Sequence, residues 1–286
     1  MAAPGAVTRA RVTLDGGEAV ALWWPASTRR QSATLRAAVF HHGTLLGPAD
    51  YDGLCACLAL RGFVVVARRF YVGVRGLFAW GSEVKSAREL HLWAAKELPT
   101  GLSTDDGETV PATIDVNAGL VLVGHSRGAA VALLAARMSE GEGGDHDPIT
   151  IAAVVALDPV DADAAPLGAG RGFSLLGADA PLEHLERVPR VLVMASEMQD
   201  GRSAPEGRSY QAFVDALRRS KVGTECAFRR IEGAGHVSFC DERVRAFPFV
   251  TRGGAERSSV WETVADAVAE TVADAVAGTA MAAGAL

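Results

Sequence analysis

The chain has 286 residues, 49% of them hydrophobic and 22% charged, which supports a substantial buried core and argues against wholesale disorder. One large α/β sheet commonly reaches this length without dividing, so a single domain over residues 1–286 is expected. A net charge of −6, with no block of lysine or arginine, argues against nucleic acid or any other anionic polymer as a partner.

Residues 1–6 read as a flexible lead-in with no apolar core of a signal sequence, and no later run approaches the roughly 20 apolar residues that a membrane span needs. A soluble intracellular protein without a transmembrane segment is expected, which leaves peripheral membrane contact open. Residues 7–14 and 18–24 alternate β-favouring Val, Thr and Trp around Asp15-Gly16-Gly17, the pattern of an antiparallel pair. Beyond the polar stretch 27–34, short apolar runs at 37–41, 63–67, 119–123, 151–157, 191–195 and 224–231 alternate with helical periodicity at about 50–61, 82–98, 127–139 and 206–221. Repeated βα winding of this kind builds a mostly parallel central sheet with helices on both faces, preceded here by the antiparallel N-terminal strands.

Two connections are longer than ordinary loops, 68–81 with Phe70, Tyr71, Phe78 and Trp80, and 158–188, rich in Ala, Gly and Pro; loops of this length usually cover a site. At the C-terminus the octet Glu-Thr-Val-Ala-Asp-Ala-Val-Ala occurs at 262–269 and again at 270–277, within a helix expected over 255–278. It places Val264, Val268, Val272 and Val276 on one stripe and Glu262, Asp266, Glu270 and Asp274 on another, so the helix can dock on the domain through its valines. Cys55, Cys57, Cys226 and Cys240 show neither CxxC pairing nor a disulfide framework, and a reducing compartment fits them.

The residues that carry chemistry begin with Gly124-His-Ser-Arg-Gly, set between the apolar run 119–123 and a helix. Strand, GxSxG and helix in that order form a nucleophile elbow, which projects the Ser126 hydroxyl above the sheet edge on a tight turn. Serine is a weak nucleophile at neutral pH, so it needs a histidine base and an acid that holds the histidine in the right tautomer. His236 fits as the base, because Glu232-Gly-Ala-Gly follows the last expected strand and lets a loop carry the imidazole back over the sheet. The acid can come from the end of either of two successive strands. Asp158, closing the run 151–157 ahead of Pro159, is the first choice, and Asp161, Glu197 and Asp200 are its rivals. Backbone N–H groups of Arg127, next after the nucleophile, and Thr44, on the loop after the run 37–41, are the expected oxyanion donors. His125 flanks the nucleophile and is expected to point elsewhere. The tandem His41-His42 faces opposite sides of a strand without a carboxylate cluster, so neither metal nor cofactor is expected.

With these residues assembled, the chain resembles the chlorophyllases over roughly residues 20–250. The carriers are Phe40-His-His-Gly, Leu60-Arg-Gly-Phe-Val-Val-Val-Ala, Gly124-His-Ser-Arg-Gly, Leu157-Asp-Pro-Val-Asp, Ser203-Ala-Pro-Glu-Gly and Gly235-His-Val-Ser-Phe-Cys-Asp. The resemblance implies an α/β-hydrolase fold and cleavage of the phytyl ester of chlorophyll to chlorophyllide and phytol, with Ser126 as nucleophile, Asp158 as acid and His236 as base. It also points to a photosynthetic source and to a plastid as one compartment. Departures fall at Ala129, where the family has glycine, His42, where it has leucine, and Ser238, where it has aspartate. The elbow alone reports chemistry and not substrate, so a carboxylesterase, lipase or polyester hydrolase acting on another lipophilic ester is the alternative. A hydrolase fold kept only to bind a ligand is the remote one.

Overall fold

The computed structural model describes residues 6–26, 34–69, 80–111, 114–137, 149–160, 188, 190–198, 209–219, 225–244 and 253–283. Eight strands form one sheet: β1 Val7–Thr13, β2 Ala19–Pro25, β3 Arg36–His41, β4 Phe63–Arg68, β5 Leu120–His125, β6 Ile151–Leu157, β7 Arg190–Ser196 and β8 Glu225–Ile231. Their spatial order is β1-β2-β4-β3-β5-β6-β7-β8. The pairs β1–β2 and β2–β4 are antiparallel, and every pairing from β4–β3 to β7–β8 is parallel. Every residue of β4, β5 and β6 is buried, as the near-continuous Val, Leu, Ile and Ala of those runs require of strands covered on both faces.

Among the described residues the α-helices are α1 Asp52–Leu60, α2 Trp80–Glu97, α3 Arg127–Arg137, α4 Tyr210–Arg219 and α5 Arg257–Ala283. One core packs α2, α3 and α4 on one face through residues such as Leu90, Leu133 and Phe213. A second packs α1 and α5 on the other through Leu54, Leu58, Val264 and Val268. The C-terminal helix docks as its periodicity predicts: Val264, Val268 and Val272 are buried, and the acidic stripe meets arginines of the domain. Arg61 Nε lies 2.7 Å from Asp266, Arg229 lies 2.8 Å from Glu270 and Arg190 lies 2.8 Å from Asp274. The helix also runs past the expected end at 278 to Ala283, because the alanine-rich segment that follows the repeat is a good helix former. Among the described residues, no helix is long and apolar enough to cross a membrane. Most of the two long connections, 68–81 and 158–188, lies outside the described residues.

In a parallel sheet of this winding, the C-terminal ends of the strands converge on one rim, and the crevice there is where such folds bind ligands. Five strands matter at this rim: β3, β5, β6, β7 and β8.

Candidate active site

Ser126 sits between the end of β5 and the start of α3 with φ of 55°, a left-handed backbone that few non-glycine residues adopt. The strain is maintained by backbone contacts on both sides. The Ser126 N–H donates to the Leu157 carbonyl at 2.9 Å, and the Ser126 carbonyl accepts the Ala129 N–H at 3.1 Å. The two flanking glycines are required by space. A Cβ at Gly124 would fall 2.4 Å from the Gly128 carbonyl oxygen, and one at Gly128 would fall 2.2 Å from that of His41. Because both obstacles are backbone, Gly128→Ala is expected to destabilise the fold at the upper end of the roughly 1–3 kcal/mol that overpacking costs, read as a lower denaturant midpoint. An unchanged midpoint would show that the elbow can open.

Imidazole and carboxylate arrive from opposite ends of the chain's second half. His236 opens a short 3-10 turn, His236–Phe239, just after β8, and the Gly235 N–H is satisfied by the Ser238 hydroxyl at 2.9 Å. The departure at Ser238 therefore still caps the turn. The Ser126 hydroxyl lies 3.0 Å from Nε2 of His236, and Nδ1 of His236 lies 2.6 Å from Oδ2 of Asp158. Asp158 is wholly buried at the end of β6, also with positive φ (44°). Its carboxylate is held by Ser196 at the end of β7, whose N–H donates to Oδ1 at 3.1 Å and whose hydroxyl donates to Oδ2 at 2.8 Å. Ser196 was not singled out from the sequence, although its place at a strand end beside β6 is the one signal that could have found it.

Of the rival acids, Glu197 accepts the Gly233 N–H at 2.7 Å; Asp161 and Asp200 lie outside the described residues. The oxyanion candidates flank the serine. A Cβ at Gly43 would lie 3.3 Å from Cβ of Ser126, which places the Gly43-Thr44 turn beside Ser126. Arg127 begins α3, whose first N–H groups point toward the end of the helix from which Ser126 emerges. The Arg127 side chain turns inward and binds buried Glu83 of α2 through Nε at 2.9 Å and a terminal nitrogen at 2.8 Å, tying the elbow to that helix.

Among the described residues, His41, His42 and His91 are also buried. Nε2 of His41 lies 2.9 Å from Nε2 of His91 on α2, and Nδ1 of His42 lies 2.9 Å from the Gly43 carbonyl oxygen. Burial holds His91 down to about 3, with Arg88 adding to the shift, and holds His42 down to about 4, opposed by the Gly43 carbonyl. His41 is lowered well below the usual imidazole value by burial first and by His91 second.

A two-faced sheet of this order, with a serine elbow between β5 and α3, defines a protein of the α/β-hydrolase fold. Solved structures agree: an esterase from Pseudomonas putida superposes with a TM-score of 0.60 over 95% of this chain and 85% of its own at 14% identity, and one from Rhizomucor miehei with 0.59 over 94% and 84% at 17%. Within that fold, residues 26–167 match the chlorophyllase family model. Chlorophyllase-1 of Citrus unshiu, a chloroplastic protein, is 34% identical over 134 residues, which are 46% of this chain and 35% of the citrus one. The match thus spans about a third of that relative's length. The segment 26–167 contains Thr44, Ser126, Arg127 and Asp158, while His236 lies beyond it and is joined to Ser126 and Asp158 by geometry.

Proposed function

We propose that the protein is a serine ester hydrolase, with Ser126 as nucleophile, His236 as general base and acid, and Asp158 as the acid that orients the imidazole. The observation that carries this reading is the continuous relay from Ser126 Oγ through both nitrogens of His236 to a carboxylate fixed by Ser196. Asp158 accepts a proton-bearing Nδ1, so Nε2 is left with its lone pair toward the Ser126 hydroxyl. Ser126 attacks the ester carbonyl as His236 takes its proton, and the oxyanion is met by the N–H groups of Thr44 and Arg127. Asp158 stabilises the imidazolium that results. His236 then protonates the leaving alcohol, and water activated by the same imidazole releases the acid from Ser126. This sequence asks for neither cofactor nor metal.

The substrate we propose is the phytyl ester of chlorophyll, on the strength of the family segment 26–167 and the motifs within it. A panel of chlorophyll, acylglycerols and short p-nitrophenyl esters tests the assignment, alongside labelling by a fluorophosphonate probe. Chlorophyllide release and labelling that both vanish in Ser126→Ala are expected. Cleavage of simple esters without any chlorophyllide would overturn the chlorophyll assignment and favour a broader carboxylesterase. A folded protein that neither labels nor cleaves any of them would point to a ligand-binding role instead.

A further inference from the structure

Behind the serine and its base lies a second chain of buried polar groups. The Gly43 N–H lies 2.9 Å from the Tyr51 hydroxyl oxygen, the Tyr51 hydroxyl lies 2.7 Å from Nδ1 of His125, and Nε2 of His125 lies 2.9 Å from the carbonyl oxygen of His236. Tyr51 and His125 are both sealed from solvent. The direction of every bond follows from the far end. A carbonyl oxygen can only accept, so Nε2 of His125 carries a proton. Burial, and the neighbouring His236 after it, keep His125 well below the usual imidazole value and hence neutral. Its Nδ1 then has a lone pair and accepts the Tyr51 hydroxyl proton, and the Tyr51 oxygen accepts the Gly43 N–H. All three donors point the same way, from the Gly43 turn to the backbone of His236.

This chain joins three segments, of which the relay itself connects only the last two. Gly43 precedes Thr44 on the turn after β3, His125 precedes the nucleophile, and the third link ends on the main chain of the base residue. His236 follows glycines at 233 and 235, whose N–H groups are held by Glu197 and by the Ser238 hydroxyl, so the His236 carbonyl is the backbone link that ties this loop to the Ser126 segment. Asp158 grips the His236 ring, but a ring held at one nitrogen can still move with its backbone. The contact from His125 is a second point of attachment, reinforced by packing of the His125 ring against those of His236 and Phe239, with centroids 4.7 and 5.3 Å apart. At the other end there is no slack: a Cβ on Gly43 would lie 3.1 Å from the Tyr51 oxygen and 3.2 Å from Nδ1 of His125.

We infer that Tyr51 and His125 are positioning residues for ester hydrolysis, holding the backbone of His236 and the Gly43-Thr44 turn at set distances from Ser126. The inference rests on the ester-hydrolase reading above. A displacement near 1 Å at a reacting centre costs on the order of 100-fold in rate, so the loss of either link has a measurable kinetic signature.

The test uses the full chain, with p-nitrophenyl butyrate and a fluorophosphonate as probes. Tyr51→Phe and His125→Leu are expected to lower kcat by about 10- to 100-fold with KM nearly unchanged, and to slow labelling of Ser126 by a similar factor. His125→Gln, whose amide supplies a donor near the place of Nε2, is expected to recover most of the loss. Because His125 is neutral throughout, the acid limb of the pH–rate profile should stay where it is in all three variants. Wild-type kcat in a natively folded Tyr51→Phe overturns the inference, as does a loss that His125→Gln leaves uncorrected. Tyr51→Phe removes a single oxygen and decides the matter alone should His125→Leu not fold. A wild-type protein that is itself inert to both probes would instead overturn the ester-hydrolase reading, so the two failures are distinct.

Discussion

Asp158→Asn is expected to lower kcat on any ester the protein cleaves by about 10⁴-fold while leaving the fold intact, and the reason lies in which atoms can donate. In the wild-type site Oδ1 accepts the Ser196 N–H, while Oδ2 accepts both the Ser196 hydroxyl and Nδ1–H of His236. An asparagine must turn its carbonyl oxygen toward the Ser196 N–H, since that backbone donor cannot reverse. Its amide nitrogen then occupies the place of Oδ2. There it can donate to the Ser196 hydroxyl, which can rotate to accept, and to Nδ1 of His236. The imidazole answers by moving its proton to Nε2, the nitrogen that has to accept from Ser126 at 3.0 Å. The base is thus present but blocked. Stability should change little, because Asn tolerates the left-handed backbone that Asp158 adopts at φ of 44°. The checks are steady-state kinetics and a thermal melt of the same preparation. An Asp158→Asn protein that keeps kcat within about tenfold would return the acid's role to one of the other carboxylates.

The same residues show what a sequence can and cannot disclose about such a site. Strands such as β4, β5 and β6 are unbroken apolar runs, and their alternation with helical periodicity is enough to name the sheet and its two layers. Ser126 is legible because the elbow is a local object, five residues between a strand and a helix. His236 and Asp158 can be nominated from the sequence as a candidate base and acid near strand ends, since the fold restricts where such groups can stand. Ser196 is different. Its importance comes from lying beside Asp158, 38 residues away, across the β6–β7 pairing. Tyr51 and His125 are 74 residues apart, and His125 and His236 are 111 apart. The sequence places His125 next to the serine and expects it to point elsewhere. Where it points is a property of topology, which no local pattern carries. The buried pair of Arg127 and Glu83 is of the same kind, as is the contact between His41 and His91.

Those buried imidazoles lead to the other large effect, a steep loss of stability on mild acidification. His41, His42, His91 and His125 are all sealed in the fold, and burial is the foremost cause that holds each below the ordinary value of 6.5, to about 4 for His42, about 3 for His91 and well below 6.5 for the other two. An unfolded imidazole takes up its proton near pH 6.5, whereas the folded ones refuse it until the solution is far more acidic. Between those limits the unfolded state binds more protons, so stability rises with pH across the window and is lost as pH falls through it. Each histidine contributes up to about 1.4 kcal/mol per pH unit, and the four together approach about 5 kcal/mol per unit below pH 6. A typical domain has about 5–15 kcal/mol in all, so unfolding is expected before pH 4 is reached. Urea midpoints followed from pH 7 to 4.5 should fall steeply once below about pH 6.5, with a proton uptake on unfolding that approaches four. His91→Phe should reduce that uptake by about one whatever it does to the absolute stability, because the slope counts titrating groups and not contacts. A midpoint that stays level between pH 6.5 and 5 would mean that these rings reach water, and with it that the neutral His125 needed to direct the bonds from Gly43 to His236 is not held neutral by burial.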